Sequence, residues 1–118
     1  MGWFSSQNDD EFKNLLIATY DTMGELINEL NSMQQVTPVA EKYIAQMGNQ
    51  VNRLYQMNSS GSFNSTSVIV DGQIVNGRDS LVGFVLFIRE VERKTGKHFN
   101  LNIICSYDNK QRYYILLF

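Results

Sequence analysis

The 118-residue chain holds one cysteine, one histidine and one proline. A lone Cys105 excludes a disulfide within the chain and favours a reducing compartment, which points to the cytoplasm. One His and one Cys do not make a zinc site without several carboxylates, so no metal centre is expected. As a nucleophile and base they fail on geometry. His98 and Cys105 lie seven apart on one predicted strand, on opposite faces and roughly 23 Å from each other. Cys105 is therefore read as a buried, inert thiol.

Long hydrophobic runs are missing too. No segment reaches the ~18 consecutive apolar residues that a membrane-spanning helix needs. The first apolar run is too short for a signal peptide and has no basic flank. A basic excess is also lacking: ten Lys and Arg against twelve Asp and Glu leave a net charge of −2, which argues against nucleic acid as a partner. The only basic cluster, Arg89, Arg93, Lys94 and Lys97 beside His98, falls at a predicted helix end, where cations complement the dipole. A phosphate or partner patch is the rival reading. G-x-G-x-x-G, the P-loop, H-E-x-x-H, G-x-S-x-G and C-x-x-C do not occur. These absences lead us to expect no enzyme, no cofactor and no membrane association.

What is present is an ordinary globular composition, 43% apolar and 19% charged, in a length that suits one domain over residues 1–118. There are no internal repeats. The opening MGWFSS fits the acylation pattern M-G-x-x-x-[ST]. Trp3 and Phe4 are bulky for an acyl acceptor, however, and Asp9, Asp10 and Glu11 would be repelled by an anionic surface. A helix start explains the stretch better. Ser6 caps, the acids suit the dipole, and Trp3 and Phe4 cover the first turn or a neighbouring subunit.

The first helix is expected over about 9–33. Leu16, Tyr20, Met23, Ile27 and Leu30 form its seam, widened by Phe12, Leu15, Leu26 and Met33. Thr37-Pro38 starts a second helix, to about Gln56, with Ala40, Ile44, Met47, Val51 and Leu54 at spacings of 4, 3, 4, 3. The short connection implies an antiparallel helical hairpin over about 9–57. Residues 58–66 read as a polar, flexible linker. The N-x-[ST] sequons at Asn58 and Asn64 there are read as chance.

A ββαββ part follows over 67–118. Asp71-Gly72 between β-branched runs signals a type I′ hairpin, with Ile69 facing Ile74 and Val68 facing Val75. Asp79 or Ser80 should cap a third helix over about 80–95, stopped by Gly96. Residues 98–107 and 112–118 should form a long hairpin turned at Asn109-Lys110. Cys105 would then face Tyr114, Ile103 face Leu116, and Leu101 face Phe118, making with Phe99 an apolar face under the third helix. The expected fold is α+β, a helical hairpin followed by a four-stranded, mostly antiparallel sheet.

The acidic ridge of Asp21, Glu25 and Glu29 lies on a convex helix, so it reads as a solvated face or a docking strip rather than an acid–base pair. Two other features stand out. The outer face of the last hairpin carries His98, Asn100, Asn102 and Ser106 beside Tyr113, with Arg112 and Arg78 near its ends. That is a candidate binding face, unless the first two helices cover its apolar part. Val82 and Leu86 add an apolar excess on the third helix and, with Trp3 and Phe4, are candidate oligomer contacts. By analogy with small acidic single-domain proteins of bacteria and phages, the chain is read as a small non-enzymatic binding protein that docks on a protein as an inhibitor, immunity protein or chaperone does, forming a homodimer or larger oligomer. The alternative is a protein that binds a nucleotide-like small molecule on the polar sheet face.

Overall fold

Helix α1 (Gly2–Ser32) begins seven residues before Asp9, so Ser6 lies inside the helix rather than capping it. The computed structural model describes residues 2–32, 35–107 and 113–117, with side chains for 9–31 and 35–102. The expectations for the side chains of Trp3, Phe4 and Met33 fall outside these. Helix α2 (Pro38–Met57) begins as its sequence dictates. Thr37 is extended, its hydroxyl accepts from the Ala40 N–H at 3.0 Å, and Pro38 fills the first turn, where its missing N–H costs nothing.

α1 and α2 pack antiparallel: Arg53 near the end of α2 meets Glu11 near the start of α1 at 2.9 Å, and Gln46 donates to the Thr22 hydroxyl at 3.2 Å. All five seam residues of α2 are buried. The buried line of α1 is rotated from the expected seam. It runs through Phe12, Leu16, Thr19, Thr22 and Leu26, with Tyr20, Met23 and Leu30 only partly covered. The two threonines fit because their hydroxyls donate to carbonyls one turn back, Thr19 to Leu15 at 2.7 Å and Thr22 to Ala18 at 3.0 Å. A buried hydroxyl satisfied in this way carries little penalty.

The segment after α2 is ordered by its own side chains. The Asn58 Oδ1 accepts from the Phe63 N–H at 2.7 Å, and its Nδ2 donates to Asn64 at 2.8 Å. This places Phe63 in the core, stacked on Phe12 with ring centroids 4.4 Å apart. Strands β1 (Ser67–Val70) and β2 (Gln73–Asn76) then pair in the expected register. Asp71 and Gly72 sit at φ 51° and 79°, as a type I′ turn requires.

β2 runs directly into α3 (Gly77–Thr95). Its cap is Asn76, not Asp79 or Ser80. The Asn76 Oδ1 accepts from the Asp79 N–H at 2.8 Å, and its amide donates to the Asp79 carboxylate at 3.1 Å, so the helix starts three residues early. Gly77 is obligatory here, because a Cβ would lie 2.2 Å from the Phe63 carbonyl oxygen. Gly96 ends α3 in the left-handed region, as expected of a helix stop.

The four-stranded sheet is not formed. β3 (Ile103–Tyr107) and β4 (Tyr113–Leu117) pair with each other, and among the described residues neither joins β1–β2. The expected long strand begins five residues late, because Asn100 turns the chain at φ 56°. The register is also one residue from expectation, with Cys105 opposite Ile115 and Ile103 opposite Leu117. The expected turn at Asn109-Lys110 lies outside the described residues. The core is built by α1, α2, α3, Phe63, Val68 and Phe99 of one chain. The fold is thus α+β, three helices with two separate hairpins among the described residues.

Candidate functional site

The C-terminal end of α3 gathers a set of ion pairs. Arg89 pairs with Glu92 at 2.7 Å, Arg93 with Glu90 at 2.5 Å, Lys94 with Glu90 at 3.7 Å, and Lys97 with Glu41 of α2 at 2.8 Å. The basic cluster is therefore an ion-pair lattice rather than a bare phosphate patch. Arg93 and Lys94 share the single carboxylate of Glu90, which leaves this end with a positive balance. The bidentate Arg93 holds the Glu90 carboxyl below its ordinary range, and Glu90 raises Arg93 in return.

Glu92 has a different setting. Its side chain is only 12% exposed. It accepts from Arg89 on one oxygen and from the Phe99 N–H at 3.0 Å on the other. Burial pushes its carboxyl up, but the Arg89 and Phe99 hydrogen bonds and the charges of Arg89 and His98 outweigh this and leave it lowered.

The following segment is held from a second side by Asn52 of α2. Its amide donates to the Asn100 carbonyl at 3.0 Å, and its oxygen accepts from the Asn102 N–H at 2.8 Å. Between these clamps Phe99 enters the core, its carbonyl pressed on α2 where only Gly48 fits. Asn100 and Asn102 thus serve as backbone anchors, not as a row on a sheet face.

The described residues of the expected binding face are not brought together. His98 lies before β3 with its side chain 86% exposed, 3.5 Å from Glu92, so the argument that set it on one strand with Cys105 loses its premise. Arg78 is exposed in the first turn of α3, separated from His98 by about 25 Å of helix and the residues after its end. The register sets Ser106 across from Tyr114 and Tyr113 across from Tyr107. Ser106 and Tyr113 therefore do not face each other as the expected hairpin required. Arg112 and the side chains of Ser106 and Tyr113 lie outside the described residues. Val82 is partly covered and Leu86 is exposed on α3.

A different feature lies at this end. Tyr20 bridges α1 to α3, its hydroxyl 2.6 Å from Ser80 and its ring edge-on to Phe84 at 4.7 Å. Further along, a groove of about 640 Å³ opens between the last turns of α1 and the second half of α3. Ile27, Leu30, Val36, Phe87 and Val91 supply its apolar lining, and Glu90, Lys94 and Lys97 its charged rim. The apolar excess read on α3, Val82 and Leu86, does not line this groove; Phe87, which the sequence pattern did not single out, does.

A second missed feature is the outer face of β1–β2, where Ile69 and Ile74 are 68% and 76% exposed. Among the described residues no cluster of three or more His, Cys, Asp or Glu is positioned to hold a metal ion, and no helix is long and apolar enough to cross a membrane. The site defines the chain by architecture, a three-helix α+β protein with a lined groove. No known protein family, curated protein or solved structure matches it.

Proposed function

We propose that this chain is a small, non-enzymatic cytoplasmic binding protein that docks on another protein, as bacterial and phage inhibitors, immunity proteins and secretion chaperones do. The groove between α1 and α3 carries the reading. Its apolar floor offers burial to a partner's side chains, and its charged rim offers orientation, the division of labour found in docking sites. The lone Cys105 favours a reducing compartment. A nucleotide-like ligand is the second reading. The groove volume of about 640 Å³ falls within the range of small-molecule pockets, and Lys94, which shares Glu90 with Arg93, would meet an anion.

The test uses wild-type protein and two groove variants, Phe87→Ser and Lys94→Glu, each checked for unchanged helical content. Proteins from the source cells that bind wild type are purified and titrated against all three. Docking predicts a saturable complex with wild type that both variants weaken. Equal binding by all three ends the reading. A nucleotide or metabolite that raises the wild-type melting temperature, but not that of the Lys94→Glu variant, selects the small-molecule alternative.

A further inference from the structure

We propose that the groove receives the β1–β2 hairpin of a second copy of this chain. Ile69 and Ile74 would seat on the apolar floor, and Asp71 would meet Lys94, whose carboxylate partner Glu90 is shared with Arg93. The inference rests on the docking reading and names an occupant for the same groove.

The hairpin needs only one of its faces for its own fold. Val68 is buried, and Val70 and Val75 pack against the core. Strand alternation sends Ile69 and Ile74 the other way. They are directly opposite in the register, one pair beyond a two-residue turn. That is a non-hydrogen-bonded position, where facing side chains come closest. Two isoleucines there make one apolar knob. Turn chemistry accounts for Asp71 and Gly72, but nothing among the described residues accounts for these isoleucines, since threonine would suit an exposed strand as well.

The groove complements this knob in chemistry. Its floor is apolar, and on its rim Lys97 is paired with Glu41 while Lys94 shares Glu90 with Arg93, which leaves one positive charge beside Lys94. Asp71 is the hairpin's only charged residue. The placement also suits two-fold symmetry. The hairpin precedes the first turn of α3, whereas the groove flanks its second half. Two copies with antiparallel α3 helices set each hairpin at the other's groove. The two contacts are then equivalent and the assembly closes as a dimer. Knob and socket lie on one chain, so a second copy needs no further partner.

Sedimentation velocity across a micromolar concentration series tests this on the full chain. Wild type is expected to dimerise. Ile69→Thr with Ile74→Thr retains strand propensity and replaces two mostly exposed side chains, so it should keep the far-UV spectrum while weakening the dimer by at least about tenfold. Lys94→Glu should weaken it too, as should added salt. Mixing the two variants should recover a weaker heterodimer, because one intact hairpin then meets one intact groove. A wild-type monomer throughout, or a dimer indifferent to the isoleucine changes, overturns the proposal. If either occurs while Lys94→Glu abolishes binding of a foreign protein, the groove docks that protein and only the named occupant is wrong. If Lys94→Glu alters neither, the docking reading falls as well.

Discussion

Replacing Glu92 by Gln removes one negative charge and leaves the side chain's size unchanged. In the wild type this carboxylate accepts from Arg89 at 2.7 Å and from the Phe99 N–H at 3.0 Å. Hydrogen bonds to a charged group contribute about 1.5–3 kcal/mol, and neutral ones about 0.5–1.5. Arg89 is 42% exposed, so solvent screens its share, and most of the loss comes from the Phe99 N–H. A destabilisation of about 1–2 kcal/mol is expected at neutral pH. For a domain of this size that lowers the melting temperature by roughly 4–8 °C, measured by circular dichroism at neutral pH.

The pH arm is more stringent. The folded-state carboxyl of Glu92 lies below its ordinary 4.5. A lowered acid stabilises the fold above its unfolded value, and that contribution disappears as pH falls through the folded value. The gap between wild type and the Glu92→Gln variant should therefore be full at neutral pH and close progressively on acidification below 4.5. Arg89 and His98 are the charged and titratable groups that face Glu92. Glu90→Gln is the control: its carboxyl is also lowered, by Arg93, but the pair is surface-exposed and should move stability immeasurably. A gap that stays constant with pH, or a Glu92→Gln variant as stable as wild type at neutral pH, would refute the assignment of Glu92 as the charged anchor of this segment.

Other substitutions test the remaining contacts. Gly48→Ala would place a methyl 2.2 Å from the Phe99 carbonyl oxygen, backbone against backbone, and should cost about 2–3 kcal/mol in urea unfolding. Gly24→Ala and Gly83→Ala meet nothing within 4 Å and should each stabilise by about 0.5–1 kcal/mol; a loss instead would show that these helix faces are covered in solution. Asn52→Ala should cost about 1–2 kcal/mol and speed hydrogen exchange at the Asn102 amide. Asn52→Asp should keep that amide protected, because it retains the acceptor.

The helices were legible because their signals are local. Thr37-Pro38, Gly96 and the 4, 3, 4, 3 spacing of α2 act within a turn or two, and Asp71-Gly72 sets its own register. α1 was read less well because Thr19 and Thr22 count as polar in any periodicity. Only the carbonyls one turn back, which three-dimensional packing leaves as their partners, make them suitable core residues. The cap of α3 was misplaced by three residues because Asn76 also reads as the end of a strand, and its two roles coincide. The candidate site was misread for a non-local reason. Asn100 and Asn102 alternate with apolar residues as a strand would, and nothing nearby in sequence reveals that Asn52, about fifty positions earlier, claims their backbone.

That claim also explains why an apolar surface is left on β1–β2. Once residues 98–102 are bound to α2 and α3, no extended chain is available beside the first hairpin, and among the described residues its edges stay unpaired. A two-stranded hairpin has little stability of its own, so β1–β2 must be held through its inner face, where Val68 is buried and Val70 and Val75 pack against the core. The outer face contributes almost nothing to that anchorage. Substituting Ile69 and Ile74 by threonine should accordingly leave the melting temperature of the dilute monomer nearly unchanged, which separates association from folding in a single pair of measurements. A large loss of stability in that double variant would mean that the outer face is packed within the chain, and the hairpin would then have no apolar knob to offer.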